Sequence, residues 1–251
     1  MMQFSPEVIE AIFAHGKAVY PRESCGMVVR TAEGERYMPC RNDAAGNLAL
    51  GCFVMNEEDQ KAAEDLGEVL AIAHSHPNAS ADPSDADRVM CSKSEVPWII
   101  VGVPSGVVRF LEPSEKGLPL VGRTFHHGVV DCYSLVRDYY KEKLDLELSN
   151  YRRTDDWWLR GENLYVRNFQ KEGFAVVAHD GKSVVPQPHD VILMQIRSDQ
   201  LNHAAVMDPD RPGHILHHLH GQLSRHDVWG GIWARHTGLI LRHQSLMTNE
   251  H

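Results

Sequence analysis

At 251 residues the chain is long for one domain and comfortable for two. Hydrophobic residues make up 43% and charged residues 24%, as in ordinary globular protein; the net charge of -9 leaves no basic patch for phosphate and excludes a nucleic-acid binder. Five cysteines (Cys25, Cys40, Cys52, Cys91, Cys132) with no CxxC pair exclude a zinc ribbon and fit a reducing compartment. No apolar run reaches the length of a membrane span, and the first residues lack the basic and apolar segments of a signal peptide. The expectation is a protein made in a cytoplasm, without membrane insertion.

Ser5-Pro6-Glu7 opens a helix with cap, proline and acid in their favoured places, and Val8, Ile9, Ile12, Phe13 and Val19 give it an apolar stripe. Pro21 stops it. Glu23 lies in the entry to a strand at Met27–Arg30, and a turn at Glu33-Gly34 returns the chain through Arg36–Cys40. Cys52–Met55 reads as another strand, followed by a polar helix from Asn56 to about Leu66. The apolar run Val69–Ala73 is a buried strand that continues into His74-Ser75-His76-Pro77. Strand side chains alternate, so His74 and His76 project from one side. Asp82-Pro83-Ser84-Asp85 predicts a helix start with Asp82 as cap and Pro83 as first helical residue. Ser84 and Asp87 then share a helical face. Trp98–Val103 and Val107–Leu111, joined by a Pro-Ser-Gly turn, complete the sheet. The reading is an α/β sandwich, a mixed sheet flanked by helices, over residues 1–115.

Two imidazoles from a strand end and a carboxylate from the next helix suit a catalytic Zn²⁺ with an open fourth position. That chemistry needs a base for the attacking water, and Glu23 in Pro21-Arg22-Glu23-Ser24-Cys25-Gly26 is the candidate. The pattern His74-x-His76, Ser84-x-x-Asp87 with the upstream Pro-x-Glu-x-Cys-Gly resembles the JAMM (MPN+) zinc metalloproteases. The resemblance implies that His74, His76 and Asp87 hold Zn²⁺. It makes Glu23 the general base, and assigns Ser84 to the developing oxyanion or the attacking water.

Glu112–Pro119 has the composition of a linker. Beyond it, Asp131 caps a helix whose apolar stripe runs Cys132, Leu135, Val136, Tyr139 and Tyr140. The positive helix end is expected to lower the Cys132 thiol pKa. A helix near Glu162–Lys171 follows, then strands at Val191–Met194, His203–Met207, His214–His220 and Gly238–Arg242. Strand parity gives His217 one face and His214, His218 and His220 the other, so a single inward histidine is expected and the other three are expected to be exposed. A helix followed by an antiparallel sheet is an α+β layout. Asp131-Cys132 with Leu135-Val136, His203 at a strand start and His217 on the next strand resemble the NlpC-type, papain-like cysteine peptidases, over about residues 123–245. The resemblance implies Cys132 as nucleophile, His203 as base, His217 as the group that orients it, and Asp131 as a site for a substrate amine. Tyr133-Ser134 departs from the Ser-Gly common in that family after the cysteine.

The domain order resembles the tail-tip assembly proteins of lambda-type phages. It implies two peptidase centres, one on a peptide or isopeptide bond and one on peptidoglycan stem peptide. Other phage tail-tip proteins would be partners, and the host cytoplasm and virion tail the locations. Two alternatives stand beside this reading: a structural assembly factor without turnover, and an acyltransferase using a Cys132 acyl-enzyme.

Overall fold

A computed structural model describes residues 4–45, 51–154 and 156–247. The chain divides into two compact units, Met1–Lys116 and Gly117–His251.

In the first unit, helix α1 (Pro6–Val19) is capped by Ser5, whose side chain accepts the Val8 N–H. Strands β1 (Cys25–Thr31) and β2 (Gly34–Cys40) form the expected hairpin. Helix α2 (Glu57–Glu64), strand β3 (Glu68–Pro77), helix α3 (Asp85–Ser94) and strands β4 (Trp98–Val103) and β5 (Val108–Leu111) follow. The sheet order is β2-β1-β3-β4-β5, with β3/β4 parallel and the other pairs antiparallel. Val8 and Ile12 of α1 pack with Val28, Ala71, Ala73, Ile99 and Val101, all buried. This apolar face holds the central strands and leaves the end of β3 fixed from below.

Two local expectations change. Cys52–Met55 is not a strand; only an isolated bridge joins Asn42 to Met55. The Asn42 side chain replaces a ladder there, donating to the carbonyls of Glu23 and Cys52 and accepting from the Ala44 and Val54 N–H groups. The cap of α3 is Ser84 and not Asp82, and the helix begins at Asp85. Ser84 and Asp87 satisfy one another in a capping box, whereas the Asp82 carboxylate is held by Ser80 and Arg109.

The second unit opens with α4 (Cys132–Leu144), capped by Asp131 as the sequence implies. A short 3₁₀ turn (Trp157–Arg160) and helix α5 (Leu164–Asn168) precede β6 (Phe174–Ala178), β7 (Val191–Met194), β8 (His203–Met207), β9 (His214–His217), β10 (Arg225–Val228), α6 (Gly231–His236) and β11 (Thr237–His243). The sheet runs β10-β9-β8-β7-β11-β6, antiparallel throughout. One face, with Ala204, Val206, Leu216 and Leu193, packs on Leu135, Val136, Tyr139 and Tyr140 of α4. The other, with Ala205, Met207 and Ile215, packs under Trp229 and Trp233. The two-domain layout, α/β then α+β, is the one expected. The helix anticipated over Glu162–Lys171 is a single turn and a half, and β6, β10 and α6 were not anticipated. Strand β9 stops at His217, so strand parity does not extend to His218, which is buried with its Nε2 donating to the Gln222 carbonyl.

Candidate functional site

The first cluster sits where β1, β3 and α3 meet. Cys25 pairs with His74, and Ser24 and Ser75 are joined by two hydrogen bonds, from Ser24 N to Ser75 Oγ (2.9 Å) and from Ser75 N to Ser24 O (3.1 Å). Continuing that register puts Glu23 opposite His76, on the face that also carries His74. Gly26 follows because a Cβ there would overlap the Met38 carbonyl and the Tyr37 ring.

His74 Nε2 and His76 Nε2 lie 3.0 Å apart, and each is 3.3 Å from an oxygen of Asp87. The two contacts go to different oxygens, Oδ1 for His74 and Oδ2 for His76; ligand atoms around a tetrahedral Zn²⁺ are separated by about 3.3 Å, given bond lengths near 2.0–2.1 Å, so the three side chains converge at the spacing the ligands of such an ion take. The donor chemistry agrees. His76 Nδ1 is 2.6 Å from the Ser80 carbonyl, which can only accept, so the ring carries a proton on Nδ1 and presents Nε2 toward Asp87. A bare Nε2 against a carboxylate oxygen is two acceptors face to face, and only a proton or a cation between them resolves it. Electrostatics show the same demand. Burial would lower the His76 pKa, but hydrogen bonds with Asp87 and Ser80 raise it overall. Burial would raise that of Asp87, yet the hydrogen bonds from His74 and His76 hold its carboxyl well below the usual range. His74 is fully buried, its pKa is lowered by burial, and its Nδ1 has no partner. The three residues thus fit a metal cation.

Glu23 is 6% exposed. Burial pushes its carboxyl up to about 8, with His76 opposing and Asp87 reinforcing the shift. Ser84 is placed beside Asp87 but as its helix cap: Ser84 Oγ accepts the Asp87 N–H at 3.1 Å, and Asp87 Oδ2 accepts the Ser84 N–H at 2.7 Å.

The second cluster surrounds the start of α4. Cys132 Sγ is 3.2 Å from the Tyr165 hydroxyl, and the Ala204 backbone N–H also acts on it. Tyr165 and Ala204 both line an apolar cavity that extends to Trp157, Phe169 and Leu193. The thiol departs from expectation: burial and the Asp131 charge push it up to about 11, against the opposing contacts with Tyr165 and the Ala204 N–H. Among the described residues no hydrogen bond joins Cys132 to His203. His203 pairs instead with His217, Nε2 to Nδ1 at 3.1 Å, and burial pushes its pKa down to about 3. Ala205 is the register partner of His217, so His203, at i−2 on β8, lies diagonally from it on the same face. Asp131 is 2% exposed. Its carboxylate accepts from the N–H groups of Gly128 and Ser134 and from Arg153 Nε (2.7 Å), so three donors already occupy the group expected to meet a substrate amine.

Two residues in this network were not anticipated. Tyr165 lies in the helix whose extent was overestimated. Asp227, 3.1 Å from His217 Nε2, lies in β10, an Arg-His-Asp-Val stretch with no apolar alternation to mark it as a strand. His226 on the same strand pairs with Asp208 at 2.7 Å, away from this network.

Comparison with known proteins gives two domain matches. Residues 5–113 match the family described as prokaryotic homologs of the JAB domain, and residues 122–242 match the NlpC/P60 family. The chain is 39% identical over 244 residues to the tail tip assembly protein K of Escherichia phage N15, covering 97% of each chain. It is 38% identical over 192 residues to the protein of that name from Escherichia phage lambda, covering 76% of this chain and 90% of the relative.

Proposed function

Because the chain belongs to the tail tip assembly protein K family, joining a JAB-type domain to an NlpC/P60 domain, we propose that it is a tail-tip assembly hydrolase with two peptidase centres. The observation that carries this reading is the His74/His76/Asp87 triangle with Glu23 beside it. A bound Zn²⁺ would supply Lewis acidity to the scissile carbonyl and to water. His74, His76 and Asp87 would hold it, with Ser80 fixing the His76 tautomer and the Ser84 cap fixing Asp87. Glu23 takes the proton of the attacking water and delivers it to the leaving amine. Its raised pKa suits a group that must both accept and donate near neutral pH.

In the second centre, the Cys132 proton passes to His203 and the thiolate attacks a peptide carbonyl. The amine leaves with the His203 proton, and water then hydrolyses the acyl-enzyme. Peptidoglycan stem peptide is the substrate proposed here. A peptide or isopeptide bond, for instance in another tail-tip protein, is proposed for the metal centre. With such partners, the proposed locations are the host cytoplasm during assembly and the virion tail.

The test is a matrix of variants against a cell-wall substrate and a digest of tail proteins. Glu23→Gln should abolish metal-dependent proteolysis and spare cell-wall cleavage, and Cys132→Ala should do the reverse. One observation favours a second reading, a structural assembly factor whose cysteine centre is silent: burial and the Asp131 charge push the Cys132 thiol up to about 11 and keep it protonated. Unchanged cleavage and phage yield in both variants would select that reading.

A further inference from the structure

In the second unit a hydrogen-bond chain runs from His203 through His217 to Asp227, and with both rings neutral its donors and acceptors can be assigned one way only. Asp227 Oδ2 is 3.1 Å from His217 Nε2, and a carboxylate only accepts, so His217 carries a proton on Nε2. His217 is 1% exposed, lies under the Trp233 ring at 4.6 Å between centroids, and has its pKa lowered by burial, so the ring is neutral and its Nδ1 is bare. His203 Nε2, 3.1 Å from that bare nitrogen, must therefore donate. This leaves Nδ1 as the one nitrogen of His203 without a proton. The opposite assignment would set a bare His217 Nε2 against the carboxylate.

We infer that Asp227 is a positioning residue which, acting through His217, holds the His203 proton on Nε2 and keeps Nδ1 open to receive the Cys132 proton. The inference rests on the cysteine-peptidase reading of this centre. The transfer moves one proton from Sγ to Nδ1 and leaves a thiolate and an imidazolium, with no oxidant or co-reactant needed. The imidazolium keeps its Nε2–H donated to His217, and the Asp227 charge at the end of the chain favours it.

The other charged or titratable groups around the relay are accounted for. Arg225 holds the same carboxylate, Nε to Oδ1 at 3.1 Å and Nη2 to Oδ2 at 3.2 Å. His226 acts weakly on His217; His218 and Asp131 act on His203; Asp131, Tyr165 and Arg153 act on Cys132. Among these groups Asp227 alone accepts the His217 Nε2 proton. Its side chain is 25% exposed on an edge strand, so its replacement leaves the core intact.

Long-range ¹H–¹⁵N spectra of the full chain with ¹⁵N-labelled histidine read the tautomers directly, assigned with His203→Gln and His217→Gln. The wild type should show both rings neutral with the proton on Nε2 at neutral pH. Asp227→Ala should bring in the Nδ1–H form of His217. Asp227→Asn, whose amide oxygen can accept the same proton, should restore the wild-type pattern. Arg225→Gln should leave it unchanged, and a thermal melt verifies that each variant is folded. On a cell-wall substrate, Asp227→Ala should lower kcat by about 10²-fold, the lower end of general acid–base assistance, with KM unchanged and most of the loss recovered in Asp227→Asn. Unchanged tautomers in folded Asp227→Ala, or an Nδ1–H form in the wild type, would overturn the assignment. Equal inactivity of wild type and Cys132→Ala would instead remove the peptidase reading, while the spectra still decide what Asp227 does.

Discussion

At the scale of single residues, the metal centre depends on donor atoms that are costly to bury without a cation. His74 is fully buried with an unpartnered Nδ1, and Asp87 faces two imidazole nitrogens. Purified protein should carry about one Zn²⁺ per chain, the content of a single catalytic site. His76→Ala should remove the metal, measured by plasma emission, while the circular dichroism spectrum stays that of the folded chain, because the β1/β3/β4 ladder does not involve the imidazole. Glu23→Gln should keep the metal and lose about 10²–10⁴-fold in metal-dependent proteolysis, the range for a lost general base. Metal content unchanged in both His76→Ala and Asp87→Ala would move the site elsewhere.

At the scale of elements, the start of α4 is the most constrained turn of the second unit. Asp131 caps the helix through Ser134 N, Ser134 Oγ returns the contact by accepting Asp131 N–H, and Arg153 closes the charge from outside. Both partners of the ion pair are buried, with side-chain exposures of 5% and 3%. Asp131→Ala removes the cap and strands a buried guanidinium, and should cost about 3–5 kcal/mol, read from the urea midpoint of the second unit. Asp131→Asn, which retains the cap, should cost less. The pH dependence has a definite sign. Burial would raise the Asp131 pKa, but Arg153 and the Ser134 and Gly128 N–H groups hold it below the ordinary value. A depressed carboxyl stabilises the fold fully above its unfolded pKa of about 3.9, and that stability is lost as pH falls through the native value. Unfolding of wild type should therefore steepen below about pH 4, and the difference between wild type and Asp131→Ala should shrink there.

At the scale of the whole molecule, each unit has its own core. Ile12, Val28, Ile99 and Val101 belong to the first, and Leu135, Tyr139, Leu193 and Val206 to the second. Residues 1–116 and 117–251 should each fold when expressed alone, each with a single cooperative melt. A chelator should then lower the melting temperature of the first fragment alone, by the linkage of metal binding to folding. A shift in the second fragment would place a metal there. Among the described residues no helix is long and apolar enough to cross a membrane.

Elements with local signals were legible in the amino-acid sequence: the Ser5-Pro6-Glu7 helix start, the hairpin at Glu33-Gly34, the apolar run into His74-x-His76, and the Asp131 cap of α4. The order of the two domains was legible for the same reason, since motif spacing within one strand or one helix turn survives without knowledge of the fold. Tertiary structure alone decided what distant segments do to one another. Asn42 satisfies the backbone of residues 52–54 and so prevents a strand there. Ser84 caps α3 in place of Asp82, whose carboxylate is held by Arg109, far along the chain, and by Ser80. Strand β10 exists because β9 pairs with it, not because Arg225-His226-Asp227-Val228 has a strand's composition. The Cys132 pKa is the sharpest case. The helix end expected to lower it is a local field, whereas burial in the folded unit and the Asp131 charge raise it, against the contacts with Tyr165 and the Ala204 N–H, which favour the thiolate.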